Sequence, residues 1–337
     1  MTSEQSGGQS IAVVILNYNG KTHLEKFLPG VLQYSQEAKI VVVDNGSKDD
    51  SLAFISKNFA TVNVIDIGRN LGFCGGYNYA LKKVEAEYFV LLNNDVEVTA
   101  GWLKPLLEVL KRDQNIAVVQ PKILAWHQRN RFEYAGAGGG FLDALGYPFC
   151  RGRIFDTTEE DRGQYDDTLP VFWATGACFM IRGQLFKDFG GFDEDFFAHM
   201  EEIDLCWRLK RSGHKVYYCG SSTVYHVGGG TLATGNPTKT YYNFRNGLDM
   251  LIKNEPGGKL LWMLPFRIGL DWLAALVFLV TKPAHALAVW KAHWVVLTQF
   301  GKTLSKRKKI NLGYTVSEVY PHSILWRYFV LRKKTYQ

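Results

Sequence analysis

The sequence predicts an α/β fold: a mostly parallel sheet flanked by helices, with an apolar helical appendage at the C-terminal end. Three observations carry this. Short apolar runs alternate with segments of helical periodicity across the first 125 residues, the pattern of βαβ units. Each run stops abruptly at polar, often acidic, residues, so several strand ends converge on one edge of the sheet, where open α/β sheets bind ligands. From residue 258 the composition shifts to two long apolar stretches.

Ile11–Leu16 is the first apolar run and stops at Asn17-Tyr18-Asn19-Gly20. The spacing of Leu24, Phe27, Leu28, Val31 and Leu32 predicts a helix over 21–34. Lys39–Val43 is a second strand ending at Asp44-Asn45-Gly46-Ser47, and Ser51–Phe59 a second helix. Val62–Ile67 ends near Arg69-Asn70. Asn78–Val84 is helical, and Tyr88–Leu92 runs into Asn93-Asn94-Asp95. Trp102–Lys111 and Ile116–Pro121 add a helix and a strand. Residues 127–170 read as irregular, with Ala135–Gly140 almost without side chains; such a segment is usually functional or disordered. Phe172–Ile181 returns to a strand. Met200–Ser212 is a charged helix closed by Gly213, and Lys215–Tyr218 and Thr223–Tyr225 are short strands, the second ending at His226.

Leu260–Val280 and Ala284–Phe300 each approach the about 20 residues that span a bilayer, yet each carries charge. Arg267 and Asp271 lie four apart, on one helical face. This favours helices lying in a membrane surface; a buried pair packed on the main domain or on a second copy, a homodimer, is the alternative. The net charge of +7 is concentrated in residues 301–337, whose only acid is Glu318. The expectation is a basic tail meeting an anionic membrane surface; as nucleic-acid binding it lacks any recognised module. Five cysteines without a CxxC pair, and a polar, Gly/Ser-rich residues 1–9 expected to be disordered and without a leader's apolar core, point to a reducing, cytoplasmic location on the inner face of a membrane.

A carboxylate at a strand end, such as Asp95, can hold Mg²⁺ or Mn²⁺, and through it a diphosphate; the plainer alternative is a solvated acid. Asp44 is an acceptor suited to a pyrimidine N–H, or a cap for the following helix. Gly72, Gly75 and Gly76 let backbone approach a ligand, or make a turn. Glu201, Glu202 and Asp204 crowd one helix start, and repulsion there raises the proton affinity of at least one. Asp204 and Arg208, at i,i+4, read as a structural pair.

In order, Ile15-Leu16-Asn17-Tyr18-Asn19, Val43-Asp44-Asn45-Gly46-Ser47, Arg69-Asn70-Leu71-Gly72-Phe73, Leu92-Asn93-Asn94-Asp95, Thr175-Gly176-Ala177, Gly190-Gly191-Phe192-Asp193 and Glu201-Glu202-Ile203-Asp204 resemble family 2 glycosyltransferases of the GT-A fold, especially rhamnosyltransferase-like members, over about residues 10–245. The resemblance implies a Rossmann-like catalytic domain over 10–250, with a donor half to about 125 and an acceptor half after it. It implies Asp44 on the base of a UDP- or dTDP-sugar, with Asn17, Asn19, Arg69, Asn70 and Gly76 around the nucleotide and Asn94 near the ribose. Asp95 stands where the family places its Asp-x-Asp motif, and His226 resembles its late metal-binding histidine. Glu202 sits at the base position, usually Asp, with Glu201 second. Trp173, Thr175 and Asp193 fall on the acceptor side. One base without a second nucleophile implies inversion, and the acceptor class is a lipid-linked or growing glycan.

The alternatives fare less well. A dinucleotide-binding oxidoreductase needs G-x-G-x-x-G after the first strand, where Asn17-Tyr18-Asn19-Gly20-Lys21 stands. A nucleotidyltransferase needs a basic Gly-rich loop there, and a processive synthase several clear spans. The non-enzyme alternative is a degenerate nucleotide-sugar-binding scaffold, for which the amides Asn93 and Asn94 in place of acids argue.

Overall fold

The computed structural model describes residues 10–228, 235–310 and 313–336; the expectation for residues 1–9 lies outside them. The strands are β1 (Ile11–Asn17), β2 (Ala38–Asp44), β3 (Asn63–Asp66), β4 (Tyr88–Asn93), β5 (Val96–Val98), β6 (Ile116–Ala125), β7 (Gly140–Asp143), β8 (Pro148–Cys150), β9 (Arg153–Ile154), β10 (Thr157–Thr158), β11 (Thr168–Val171), β12 (Cys178–Arg182), β13 (Lys215–His226) and β14 (Val319–Tyr320). The helices are α1 (Lys21–Tyr34), α2 (Ser51–Asn58), α3 (Gly72–Leu81), α4 (Leu103–Arg112), α5 (Gly183–Asp188), α6 (Glu201–Arg211), α7 (Pro237–Asn254), α8 (Gly257–Thr281) and α9 (Pro283–Arg307).

The main sheet runs β11-β13-β6-β12-β4-β1-β2-β3, with β5 paired to β13. β4, β1, β2 and β3 are mutually parallel, so the ends of β1, β2 and β4 reach the same edge. β12 runs antiparallel between β4 and β6 and brings the start of its own strand to that edge. Apolar side chains on the two faces form two cores, one with α3 and α6, the other with α1 and α4. Such two-sided burial is why these strands read as unbroken apolar runs.

Several expectations change. The helix expected at 78–84 begins at Gly72, whose φ of +73° suits a residue without a Cβ. The two strands expected at 215–225 are one, β13, with a register shift between Cys219 and Thr223. Of the run 172–181 only 178–181 lies in a strand, β12. The irregular 127–170 contains most of a second sheet, β10-β9-β8-β7-β14, whose strands of two to four residues are too short for periodicity to show. The basic segment, expected as a tail meeting an anionic membrane surface, supplies that sheet's β14, and Ile324 is buried with Phe149 and Ile154.

The two C-terminal apolar stretches are the paired helices α8 and α9, packed on each other and on α7. Arg267 and Asp271 face inward: Arg267 donates to the Leu145 carbonyl (3.2 Å) and stacks on Tyr147 (3.5 Å), and Tyr147 donates to Asp271 (3.3 Å). The outer face keeps Trp262, Phe266, Trp272, Leu276, Leu287, Trp294 and Leu297 exposed. Among the described residues, α8 alone is long and apolar enough to cross a membrane.

Candidate active site

At the shared edge, polar side chains bridge from strand to strand. Asn17 closes β1 opposite Asp44 of β2, and its amide donates to Asp44 (3.1 Å) and to Ser47 Oγ (3.2 Å). Asn94, past the end of β4, donates to Asn17 Oδ1 (2.8 Å). Asp44 also accepts from the Ser47 N–H (2.8 Å), while Asn19, at φ +51°, accepts from the Lys48 N–H (2.7 Å). These residues therefore form one continuous wall. Asp44 is fully buried, yet a carboxylate has more lone pairs than these two bonds use.

Asn45, to which the sequence reading gave no role, ties down the third loop: it accepts from the Leu71 N–H (3.0 Å) and donates to Asn70 (3.2 Å) and the Gly72 carbonyl (3.0 Å). Arg69 and Asn70 stay exposed on that loop. A Cβ on Gly46 would lie 2.5 Å from the Arg69 backbone, so these loops touch through bare backbone. Gly76 is buried, and its Cβ would lie 2.7 Å from Leu16; its smallness serves the packing of α3 on β1.

Asp95 and His226 meet because β5 pairs with the end of β13: His226 Nε2 is 3.1 Å from Asp95 Oδ1. On its other side His226 Nδ1 lies 3.3 Å from Glu133 Oε2, an ionic contact rather than an aligned hydrogen bond. Burial opposes charge on the imidazole, but Glu133 and Asp95 outweigh it and push its pKa up to about 10. Asp95, despite its own burial, is drawn below the usual carboxylate range by His226. Glu133 escaped the sequence reading; its one signal is an acid just ahead of the glycine run. Among the described residues no three such side chains form a ready metal cage. The Asp95 carboxylate would suit Mn²⁺ or Mg²⁺, and the His226 imidazole would join it only on giving up the proton that Glu133 and Asp95 favour.

Glu201 and Glu202 open α6, and each leaves Oε2 buried without a hydrogen-bond partner among the described residues. Burial pushes the Glu202 carboxyl up to about 7; burial and the neighbouring Glu202 raise Glu201 as well. The pair reaches the strand ends through Gly176: the Asn93 N–H donates to the Ala177 carbonyl (3.0 Å), and a Cβ on Gly176 would lie 3.8 Å from Glu202 Oε1. Asp204 pairs with Arg208 (2.8 Å) as expected, and with Lys253 (2.9 Å).

Trp173, Thr175 and Asp193 are less open than an acceptor wall requires. Trp173 is buried and donates to the Phe141 carbonyl (3.0 Å). Thr175 is buried and donates to the Ala135 carbonyl. Burial works against charge on Asp193, but Lys253 (2.6 Å) and Lys306 hold it well below the usual range.

The glycosyl transferase family 2 model matches residues 12–190, which include Asn17, Asp44, Arg69, Asn70, Asn94 and Asp95 but not Glu201, Glu202 or His226. The chain belongs to glycosyl transferase family 2. It is 26% identical over 232 residues to N-acetylglucosaminyl-diphospho-decaprenol L-rhamnosyltransferase of Mycobacterium tuberculosis, across 64% of this chain and 75% of that one. It is 24% identical over 225 residues to rhamnosyltransferase WbbL of Escherichia coli K12, across 64% and 83%. Its fold matches crystalline GalNAc-T7 with UDP, GalNAc and Mn²⁺ at a TM-score of 0.58 and 18% identity, covering 74% of this chain and 48% of that one. This glycosyltransferase is thus a GT-A enzyme with rhamnosyltransferase relatives, and it takes its sugar from a nucleotide-sugar donor.

Proposed function

We propose that this glycosyltransferase moves one sugar, with inversion and metal assistance, from a UDP- or dTDP-sugar to a hydroxyl of a lipid-linked or glycan acceptor at the cytoplasmic face of the cell membrane. The observation that carries the reading is the approach of Glu202, from α6, to the end of β4 through Gly176. It brings a carboxyl with a raised proton affinity beside the loops that would hold the donor.

Asp44 accepts the ring N–H of the pyrimidine, within the wall made by Asn17, Asn19 and Asn94; Arg69 and Asn70 border it, and Gly76 seats the loop behind. Asp95 and His226 would hold Mn²⁺ or Mg²⁺, which neutralises charge on the leaving diphosphate. Glu202 takes the proton from the acceptor hydroxyl, with Glu201 as second choice, and one base without a second nucleophile among the described residues gives inversion. Trp173, Thr175 and Asp193 stand behind the acceptor wall and shape it.

Membrane association is supported by the outer face of α8 and α9. Its tryptophans and leucines are exposed, the only acid on either helix is the inward Asp271, and Lys282, Lys308 and Lys309 are exposed at the helix ends. An apolar face rimmed by cations fits an anionic bilayer surface, and the first relative's name specifies a decaprenol-linked acceptor. The acceptor would then arrive in the plane where these helices lie.

A thermal-shift screen of UDP, dTDP, GDP and their sugars with and without Mn²⁺ tests the donor. Stabilisation by a pyrimidine diphosphate, larger with Mn²⁺, is expected; no response to either pyrimidine sinks the reading. Flotation with anionic vesicles tests the face. Trp262→Glu with Trp294→Glu should abolish binding, and a wild-type chain that ignores vesicles but dimerises through this face would make it a subunit interface.

A further inference from the structure

Between Asp193 and α6 the chain makes an unusual turn. Phe197, His199 and Met200 all adopt left-handed backbone, at φ of +63°, +71° and +73°, although none is glycine. Such conformations persist only where the surroundings over-determine them, and they gather at functional sites. Here the turn leads directly into Glu201 and Glu202. Among the described residues neither glutamate's Oε2 has a hydrogen-bond partner, so the path of the backbone into α6 bears directly on where the pair sits.

A single side chain holds the turn from beneath. Asn246 of α7 is fully buried, and the two N–H groups of its amide are shared among the carbonyls of Phe196 (3.1 Å), Ala198 (2.9 Å) and His199 (2.7 Å). The orientation of that amide is fixed in turn, because Arg245 Nε donates to Asn246 Oδ1 (2.7 Å). Arg245 Nη2 adds bonds to the carbonyls of Asp195 (2.6 Å) and Phe196 (3.0 Å). Above the turn, the Phe197 carbonyl accepts from the Phe73 and Cys74 N–H groups at the start of α3 (2.9 and 3.3 Å). The Met200 carbonyl accepts from the Asp204 N–H (2.9 Å), closing the first turn of α6. The chain from Asn246 to the acid pair is therefore continuous: amide, strained turn, helix start, carboxyl.

We infer that Asn246 is a positioning residue for glycosyl transfer: it holds the left-handed 197–200 turn that aims Glu201 and Glu202 at the acceptor. Arg245 keeps the amide facing the turn. The inference rests on the reading of Glu202 as the base, and it adds a requirement that reading lacks: an amide more than 40 residues downstream, whose N–H groups meet backbone carbonyls.

The test compares Asn246→Ala and Asn246→Asp with Glu202→Gln in the full-length chain. The rate of nucleoside diphosphate release is followed from whichever UDP- or dTDP-sugar stabilises the wild type, and affinity for the free diphosphate is read by calorimetry. Asp matches Asn in shape, but its carboxylate cannot donate. Both Asn246 variants should lose roughly 10- to 100-fold in kcat, the scale of a misplaced reacting group, with KM for the donor and diphosphate affinity within about twofold of wild type. The acidic limb of their pH–rate profile should move, since a loosened turn admits water to the acid pair. Unchanged kcat and an unmoved profile would overturn the inference, as would kcat and diphosphate affinity falling together. If Asn246→Ala does not fold, Arg245→Met is read by the same criteria, because it frees the amide without emptying the buried position. Full turnover by Glu202→Gln would instead remove the base reading itself; an inactive Glu202→Gln beside fully active Asn246 and Arg245 variants removes only the positioning role.

Discussion

Burial keeps the Glu202 carboxyl protonated to about pH 7, so its capacity to accept a proton develops only as the pH passes that value. Turnover should rise with pH through a midpoint near 7, and Glu202→Gln should lose about 10²–10⁴-fold in kcat while still binding the nucleoside diphosphate. The same group has a signature in stability. Its folded pKa lies above the ordinary 4.5, so its contribution is intact below that pH and is lost as pH rises through about 7. Glu202→Gln should therefore gain on wild type between pH 5 and 8, by on the order of 1–3 kcal/mol, measured by urea unfolding at each pH. In the sequence, Asp44, Asp95 and the acid pair were legible because apolar runs ended on them or a helix began with them. Glu133, Asn45 and Asn246 were not, since each acts through contacts made by distant segments, with no local pattern to mark it.

At the scale of elements, what could be read was what burial writes into composition. β1, β2, β4 and α4 match their expected ranges closely because each buries an apolar run or stripe. The second sheet was missed because strands of two to four residues are held by backbone pairing and by aromatic packing across the chain, such as Phe149 against Tyr320 (5.6 Å). Loop geometry was legible only where glycine marks it. Gly46, at φ +76° with its missing Cβ 2.5 Å from the Arg69 backbone, joins the second and third strand-end loops. Gly46→Ala should destabilise by about 1–3 kcal/mol in chemical denaturation and should weaken diphosphate binding in the same protein.

Across the whole molecule, the C-terminal segment that reads as an appendage is part of the body. α9 reaches the acidic turn ahead of α6: Lys302 bonds Asp195 (2.7 Å), and Lys306 bonds Asp193 and Asp195. The Ile324 N–H donates to Asp143 (2.8 Å) beneath the second sheet. Removing residues 311–337 should therefore lower the melting temperature by several degrees, as loss of a buried apolar side chain does. A free tail would leave it unchanged.

The reversed strand β12 has a further consequence. It lies between β4 and β6, two strands from the first 125 residues that have no pairing with each other along the sheet. Early and late strands are thus interleaved like the teeth of a zip, and no cut between β6 and β12 parts the sheet. A fragment ending near residue 125 would carry two long apolar edges with open backbone groups, the surface on which chains stack into aggregates. During synthesis the first half must wait, its sheet unfinished, until residues 178–182 leave the ribosome to close it. Completion of the sheet edge that carries Asn17, Asp44 and Asp95 is thereby coupled to arrival of β12, and a chain truncated before it would lack that edge's closure.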